Sequence, residues 1–144
     1  IKQQGSVVGI SSIAGYVGLP ARSGYSASKF AMQGFLDVLR VEMLKKNVHV
    51  LVACPGFTAS NIRAVALNEA GLPQGDSPRD EGRMMTAEET ARHICRAIEK
   101  RKRKLILSGE GRLAVWMNKW FPSIVDRSVY RKMVKEPDSP LARQ

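Results

Sequence analysis

Residues 5–29 read GSVVGISSIAGYVGLPARSGYSASK, an apolar stretch followed by a connection with several glycines and the start of a helix. Residues 5–12 predict a short strand that ends in small hydroxyl residues. The helix is predicted over about 25–46, because apolar residues recur on two of its sides at helical spacing. The polar stripe between these sides is narrow and consists of Gln33, Asp37 and Arg40. We therefore expect one side of the helix to face a sheet and the other a partner subunit.

The alternation of strands and helices continues along the chain. Residues 48–54 form an almost continuous apolar run, which is typical of a central parallel strand covered on both faces. Residues 86–89 have the pattern of a helix capping box, and residues 105–107 follow as a third strand. The helix after the capping box is expected to have an apolar face made by Ala87, Ala91, Ile94, Cys95 and Ile98. This order predicts an α/β fold that is part of a doubly wound parallel sheet.

The composition is that of an ordinary globular domain. The chain has 144 residues, of which 44% are hydrophobic and 25% are charged. No apolar run approaches the roughly 20 residues that a membrane-spanning helix needs. Cys54 and Cys95 are too few for a disulfide scaffold, so we expect both in the core of a cytoplasmic protein. His49 and His93 have no partners at ligand spacing, and no metal site is expected.

Much of the net charge of +10 lies in a basic block, KRKRK, at residues 100–104. Such a block can attract phosphates or an anionic membrane surface. A solvated helix end has the same composition, because cations there complement the helix dipole. The sequence has no aromatic pattern of an RNA-binding sheet. We therefore interpret the block as a solvated helix end and expect no nucleic-acid partner.

Tyr25 and Lys29 form the first candidate catalytic pair. They are four residues apart at the start of a helix, so they lie on one face, one turn apart. A phenol is a poor acid or base at neutral pH, but a nearby ammonium stabilises the phenolate. Such a tyrosine can exchange a proton with an alcohol or carbonyl oxygen. Ser12 ends the preceding strand, at the edge where open α/β sheets bind their ligands, and can hydrogen-bond the same oxygen.

Three motifs together resemble the short-chain dehydrogenase/reductase family. They are SSIAG at residues 11–15, YSASK at residues 25–29 and an apolar strand that ends in Pro-Gly at residues 55–56. Tyr-x-x-x-Lys alone is a weak pattern, but the combination is specific, and the resemblance runs from residue 5 to about residue 107. It implies a Rossmann-like fold, NAD or NADP as the cofactor, and interconversion of an alcohol and a carbonyl.

The resemblance also implies roles for individual residues. Ser12 orients the substrate oxygen, and Tyr25 is the proton donor or acceptor. Lys29 assists the tyrosine and holds the nicotinamide ribose, so Tyr25 and Lys29 are also cofactor-binding residues. Ser11 is the competing choice for the serine, but the spacing to Tyr25 favours Ser12.

Further cofactor contacts are implied after the second strand. Pro55 and Gly56 resemble the family turn whose backbone approaches the nicotinamide. A hydroxyl residue near the carboxamide usually follows, and Thr58 and Ser60 are both candidates; Ser60 has the usual offset, although the family more often places threonine there. Residues 57–85 resemble the variable substrate lid of the family.

The resemblance covers only the second half of the doubly wound fold. The family's glycine-rich phosphate turn, the residue that selects NAD or NADP and the catalytic asparagine belong upstream of the motifs found here. We therefore expect this chain on its own to carry catalytic residues but to bind the cofactor poorly, because it has no helix N-terminus for the pyrophosphate.

The domain prediction divides the chain at residue 111. Residues 1–111 are assigned to the catalytic half, with the lid at 57–85, and residues 112–144 to a C-terminal amphipathic helical extension. This extension has an apolar stripe made by Leu113, Trp116, Met117, Trp120 and Phe121. The stripe fits packing against the lid or a second subunit, which we favour, or peripheral membrane contact through residues 112–125.

The sequence thus predicts an NAD(P)-dependent oxidoreductase, with Tyr25 as the proton carrier. A hydrophobic substrate is indicated by apolar residues in the lid, namely Val65, Leu67, Leu72, Met84 and Met85. One alternative is a truncated or inactive relative that serves as a dimerisation module through the helix at 25–46. The other is a basic module that binds membranes or phosphates.

Overall fold

A computed structural model describes residues 5–59, 71–72, 84–135 and 141. Its strands are β1 (Ser6–Ile10), β2 (His49–Cys54) and β3 (Lys104–Ile106). Its α-helices are α1 (Ser23–Glu42), α2 (Ala87–Glu99), α3 (Gly109–Trp120) and α4 (Pro122–Val134). Short 3₁₀ turns lie at Ile13–Gly15 and Leu44–Lys46. The predicted order of strands and helices is therefore confirmed, although the long helix ends at Glu42 and not at residue 46.

The three strands form one parallel sheet in the order β1-β2-β3. Ser6 lies opposite His49 in the register of β1 and β2, and Cys54 lies opposite Ile106 in that of β2 and β3. The central strand β2 is buried along its whole length, as its almost continuous apolar sequence predicts. The predicted α/β fold with a parallel sheet is confirmed. Since the strands are parallel, their carboxyl ends meet at one edge of the sheet.

Helices α1 and α2 cover opposite faces of β2. On the α1 face, Leu36 packs in one cluster with Val50, Val52 and Cys54. On the other face, Ala97 of α2 packs in a second cluster with Leu51 and Ala53. Alternate residues of β2 point to opposite faces, so a strand that is apolar at nearly every position needs a helix on each side.

The outer side of α1 remains exposed in the part of the chain that the structure describes. Phe35, Val38 and Val41 expose 64%, 58% and 66% of their surface. The predicted polar stripe is only partly correct, because Gln33 is buried and hydrogen-bonds to the turn after β1. The expected second burial of this helix against a partner subunit stays a prediction.

The N-terminus of α2 has the predicted capping box, with Thr86 accepting from the N–H of Glu89 and the Glu89 carboxylate accepting from the N–H of Thr86. The predicted apolar face was only partly correct, because Ile94 and Ile98 pack on the sheet but Ala87, Ala91 and Cys95 are exposed. The face that meets the sheet is rotated and consists of Thr90, Ile94, Ala97 and Ile98. Its first member is a threonine, whose hydroxyl has a partner across the packing surface. A search for apolar residues alone therefore missed part of this face, and Cys95, which was expected in the core, is exposed.

The C-terminal segment forms two helices, α3 and α4. Ser108 caps α3 by accepting a hydrogen bond from the N–H of Gly111, so this helix begins ahead of the predicted boundary at 112. It ends before Phe121, which has an extended φ of −135°. Pro122 then starts α4, because proline fits the first turn of a helix but disfavours helical backbone in the residue before it.

Within the described residues, no helix is both long enough and apolar enough to cross a membrane. The same part of the chain holds no group of three or more His, Cys, Asp or Glu side chains placed to bind a metal ion.

Candidate active site

The candidate catalytic residues surround the carboxyl ends of β1 and β2. Ser11 and Ser12 directly follow β1, and the N–H of Ser11 continues the ladder to the carbonyl of Ala53 at 2.7 Å. Pro55 and Gly56 directly follow β2. Helix α1 begins nearby and returns along the sheet from this edge, so its first turns supply Tyr25 and Lys29.

Lys29 connects the helix to the end of β1. Its ammonium donates a hydrogen bond of 3.1 Å to the carbonyl of Ile10, the last residue of the strand. The same nitrogen lies 5.5 Å from the centre of the Tyr25 ring. The Tyr25 side chain is about half exposed, at 48%. The structure thus places a positive charge beside a phenol that a ligand can reach.

The two serines after β1 have different surroundings. Ser11 is buried, and its hydroxyl accepts a hydrogen bond of 3.1 Å from Gln33 Nε2. Ser12 is only partly buried, and its Oγ accepts from the N–H of Ala14 at 3.2 Å, which caps the 3₁₀ turn. The proton of the Ser12 hydroxyl is therefore left to donate to a further oxygen. Ser11 is used inside the protein, which favours Ser12 as the serine that meets a substrate.

Gln33 is a positioning residue that sequence reasoning missed. It bonds Ser11 Oγ and also lies 3.5 Å from the carbonyl oxygen of Ser12, so it holds both serines against α1. The available signal was its spacing, because Tyr25, Lys29 and Gln33 follow one another at intervals of four on one helix face. The sequence pattern assigns it only to the narrow polar stripe of the helix.

Gly15 allows the turn after Ser12 to pack directly on α1. A Cβ atom at this position would clash with Gln33 Nε2 and would lie 2.9 Å from the carbonyl oxygen of Lys29. Contacts this short do not occur for real side chains, so any larger residue must push the turn away from the helix. The distance between the serine turn and Lys29 thus depends on this glycine.

The segment after β2 is held by α2. Thr58 Oγ1 lies 3.4 Å from the carbonyl of Gly56 and 3.3 Å from Thr90 Oγ1, and Ala59 N–H donates to the carbonyl of Met85 at 3.0 Å. The Thr58 hydroxyl therefore has partners within the chain. Ser60, the other predicted cofactor contact, lies outside the described residues, as does most of the predicted lid.

Helix α3 contacts the 3₁₀ turn at the same edge of the sheet. Gly111 packs so closely on the 3₁₀ turn that an added Cβ would lie 2.7 Å from Ile13 Cδ1. Asn118 Nδ2 donates to the carbonyl of Tyr16 at 2.8 Å. The C-terminal segment is therefore tied to the turn that carries Ser12, a link that the predicted domain division at residue 111 did not include.

Two further ionisable groups near this edge are kept protonated by their surroundings. Burial raises the pKa of Tyr16 to about 12, and Cys54 and Asp37 add to the increase. Burial likewise raises the pKa of Cys54 to about 11. Neither group is thus suited to proton exchange or nucleophilic attack at neutral pH. This leaves Tyr25 as the accessible phenol at this edge among the described residues.

A family model described as short chain dehydrogenase matches residues 1–70. Over 139 residues the chain is 34% identical to Dehydrogenase/reductase SDR family member 7B of Mus musculus, covering 96% of this chain and 43% of that protein. A protein of the same name from Xenopus tropicalis is 38% identical over 125 residues, covering 85% of this chain and 40% of the relative. The chain thus spans about two fifths of the length of these relatives.

Two solved structures share the fold. One, described as a short-chain dehydrogenase from Novosphingobium aromaticivorans, matches 96% of this chain and 40% of its own with a TM-score of 0.55 at 18% identity. The other, a short-chain dehydrogenase from Streptomyces avermitilis, matches 92% of this chain and 52% of its own with a TM-score of 0.56 at 21% identity. At these identities the likeness concerns the fold.

Proposed function

Because the chain belongs to the short-chain dehydrogenase/reductase family, we propose that it carries the catalytic residues of an NAD(P)-dependent oxidoreductase that interconverts an alcohol and a carbonyl. The observation that carries this proposal is the position of the Lys29 ammonium, 5.5 Å from the Tyr25 ring centre and bonded to the end of β1. That position supports a tyrosine which exchanges protons at the ligand-binding edge of the sheet.

The side chains at this edge suit a nicotinamide cofactor. An ammonium has three N–H donors, and Lys29 uses one of them on the Ile10 carbonyl. The others can bind the hydroxyls of a ribose, which are good acceptors. When bound, the nicotinamide supplies or accepts the hydride at the substrate carbon. Pro55, Gly56, Thr58 and Ser60 remain our proposed further contacts, and the choice between NAD and NADP is left open.

The proton steps are assigned to this chain's own residues. In the direction of reduction, Tyr25 Oη donates its proton to the substrate carbonyl oxygen, and Lys29 stabilises the phenolate that remains. In the direction of oxidation, the phenolate accepts the proton of the alcohol. The Ser12 hydroxyl donates a hydrogen bond to the same oxygen in both directions, and this bond strengthens as negative charge develops there.

The test is the substitution Tyr25→Phe in the complete polypeptide. We expect kcat to fall by about 10²- to 10⁴-fold, the usual contribution of a positioned acid or base. Tyr16→Phe is the matched control, because it removes a phenol hydroxyl that is buried and has no hydrogen-bond partner within the described residues. Near-normal turnover of the Tyr25→Phe protein would refute the assignment.

We also propose a hydrophobic substrate. In the described parts of the predicted lid, Phe57 and Leu72 expose 59% and 61% of their surface, and Met84 and Met85 are partly buried. Val65 and Leu67 lie outside the described residues. A panel of carbonyl compounds of increasing apolar size tests this proposal, since kcat/KM should rise with apolar surface and would be flat or fall for a polar substrate class.

The second candidate function is a dimerisation module without catalysis. It is favoured by the exposed apolar side of α1, which includes Phe35, Val38 and Val41. The same side fits the homo-oligomer that we propose for an active enzyme. Oligomerisation therefore supports both candidates, and only turnover by the complete polypeptide separates them.

Helix α3 carries two exposed tryptophan residues. Trp116 and Trp120 are 56% and 60% exposed, and the Lys119 ammonium lies 5.3 Å from the Trp120 ring centre. We propose that they pack against the lid or a second subunit. Peripheral membrane contact through residues 112–125 is the competing proposal, since tryptophan beside basic residues is typical of interfacial helices. Sedimentation with anionic vesicles distinguishes the two.

A further inference from the structure

A cavity of about 280 Å³ lies at the amino-terminal end of β2, opposite the edge that carries Tyr25. Its polar lining consists of Arg40, Arg101 and Arg103 together with Asn47 and His49, and we name it the arginine pocket. Two of its arginines come from the basic block at residues 100–104, to which the proposed oxidoreductase chemistry gives no role.

Arg40 brings a largely buried charge to the pocket. Its side chain is 13% exposed. Its Nε donates to the carbonyl of Val50 at 3.3 Å, and its Nη1 forms an ion pair with Asp37. Its Nη2 is buried and has no hydrogen-bond partner in the described residues. A buried cation with an unsatisfied N–H group is costly to maintain unless an anion offsets it.

Arg101 is fixed at the rim of the pocket. Its Nη2 donates to the backbone carbonyl of Asn47 at 3.1 Å and to the Asn47 side-chain oxygen at 2.9 Å. Both residues have left-handed backbone, with φ of 46° for Arg101 and 52° for Asn47. Non-glycine residues rarely adopt this conformation, which stores strain that the surrounding contacts must offset. The guanidinium is thus held in place by neutral groups, and its charge is not neutralised by them.

The charges that line the pocket do not balance. Arg103 lies 3.5 Å from Asp37, the same carboxylate that pairs with Arg40. The hydrogen bond from Arg40 is the main reason that the pKa of Asp37 is lowered from its ordinary value, so this carboxylate is ionised at neutral pH. Three guanidinium groups therefore share one carboxylate, which leaves a net charge of about two. The ring nitrogens of His49 bond the Ser6 hydroxyl and the carbonyl of Lys102.

We propose that the arginine pocket binds a phosphate group, either as free phosphate or as a phosphate monoester. A phosphate monoester carries a charge of about −1.5 to −2 at pH 7, which matches the unbalanced charge of the pocket. Planar guanidinium groups also bind phosphate oxygens in a bidentate manner. The site is independent of the proposed catalytic edge, because it lies at the opposite ends of the strands.

The test is titration of the complete polypeptide with inorganic phosphate, by calorimetry and by the phosphate-induced rise in melting temperature. Arg101→Gln/Arg103→Gln removes two charges from the pocket, and Lys100→Gln/Lys102→Gln removes two from the same basic block outside its lining. We expect the arginine variant to bind phosphate about tenfold or more weakly, as for loss of a charged hydrogen bond, and the lysine variant to change less than about threefold. Absence of binding to the wild type, or equal weakening in both variants, would overturn the proposal.

Two further arms complete the experiment. Arg103 is 66% exposed, so Arg103→Gln alone provides the test if the double variant does not melt cooperatively.

Vesicles of phosphatidylcholine with and without phosphatidic acid distinguish the sources of the phosphate group. Sedimentation that requires Arg101 and Arg103 but not Trp116 and Trp120 assigns the site to a lipid headgroup. Binding of inorganic phosphate without sedimentation assigns it to a soluble phosphate compound. Tyr25→Phe should leave all of these results unchanged.

Discussion

At the carboxyl edge of the sheet, two pairs of residues of the same type differ in how far a ligand can reach them. Ser11 and Ser12 are adjacent, yet only Ser12 keeps its hydroxyl proton for an outside acceptor, because the Ser11 hydroxyl is enclosed against Gln33. Tyr16 and Tyr25 differ in the same way, since burial raises the pKa of the Tyr16 phenol to about 12, whereas the Tyr25 side chain is about half exposed. In each pair the residue type is the same, and burial decides which side chain a ligand can reach.

Gly15→Ala tests the importance of this packing. The added Cβ meets Gln33 and the Lys29 carbonyl, so we expect the serine turn to shift from α1, with kcat reduced and the free energy of unfolding lowered by about 1–3 kcal/mol, as for other overpacked sites. Gly18→Ala is the matched control, because nothing lies within 4 Å of a Cβ at that position. Activity and urea unfolding measure both effects. Equal behaviour of the two variants would show that the turn has room to adjust.

At the scale of elements, α1 combines two functions. Its inner side packs on β2 through Leu36 and presents Lys29 and Gln33 to the end of β1. Its outer side carries large apolar residues in solvent. An apolar face of this size is costly in water and usually has a partner. We therefore attribute the proposed homo-oligomer to this outer side.

Phe35→Lys tests that attribution. Phe35 is 64% exposed, so lysine is tolerated in an isolated subunit but places a charge in the proposed interface. We expect the complete polypeptide to dissociate to a smaller species in light scattering coupled to gel filtration. Ile124→Lys, at a 52% exposed position on α4, should leave the mass unchanged. An unaltered oligomer in the Phe35→Lys protein would exclude the outer side of α1 as the interface.

At the scale of the whole molecule, the described sheet has three parallel strands, and its carboxyl edge carries the proposed catalytic groups. The polar edge after β1 and β2 is built from turns and from the start of α1, and the turn after β3 is closed by Ser108 packing near Gly56. Two glycines, Gly109 and Gly111, lie where β3 leads into α3, but the Gly111 N–H donates to the Ser108 hydroxyl and this residue packs against Ile13. The relatives are more than twice as long as this chain.

We therefore expect the 144-residue chain on its own to bind NADH and NADPH weakly. The pyrophosphate contributes binding energy only where helix N–H groups can receive it. Fluorescence titration of this chain, compared with the complete polypeptide, measures the difference. We expect the 144-residue chain to bind these cofactors about 100-fold or more weakly than the complete polypeptide, which corresponds to about 2.8 kcal/mol of binding free energy. Equal affinities would show that the residues described here suffice for cofactor binding.

Local patterns in the sequence were enough to predict the order of the elements. The buried strand β2, the capping box of α2 and the shared face of Tyr25 and Lys29 depend on neighbours within a few residues along the chain. Runs and spacings of a few residues in the sequence therefore reveal them directly. The family resemblance rests on the same local motifs.

Contacts between distant segments were decided only by the tertiary structure. The hydrogen bond from Gln33 to Ser11 spans 22 residues, and that from Arg101 to Asn47 spans 54. The true face of α2 includes Thr90, which has its partner Thr58 on another segment. Pairings of this kind depend on the orientation of each helix about its axis where it packs on the sheet. That orientation is set by the packing of the whole core, so it cannot be read from a local pattern in the sequence.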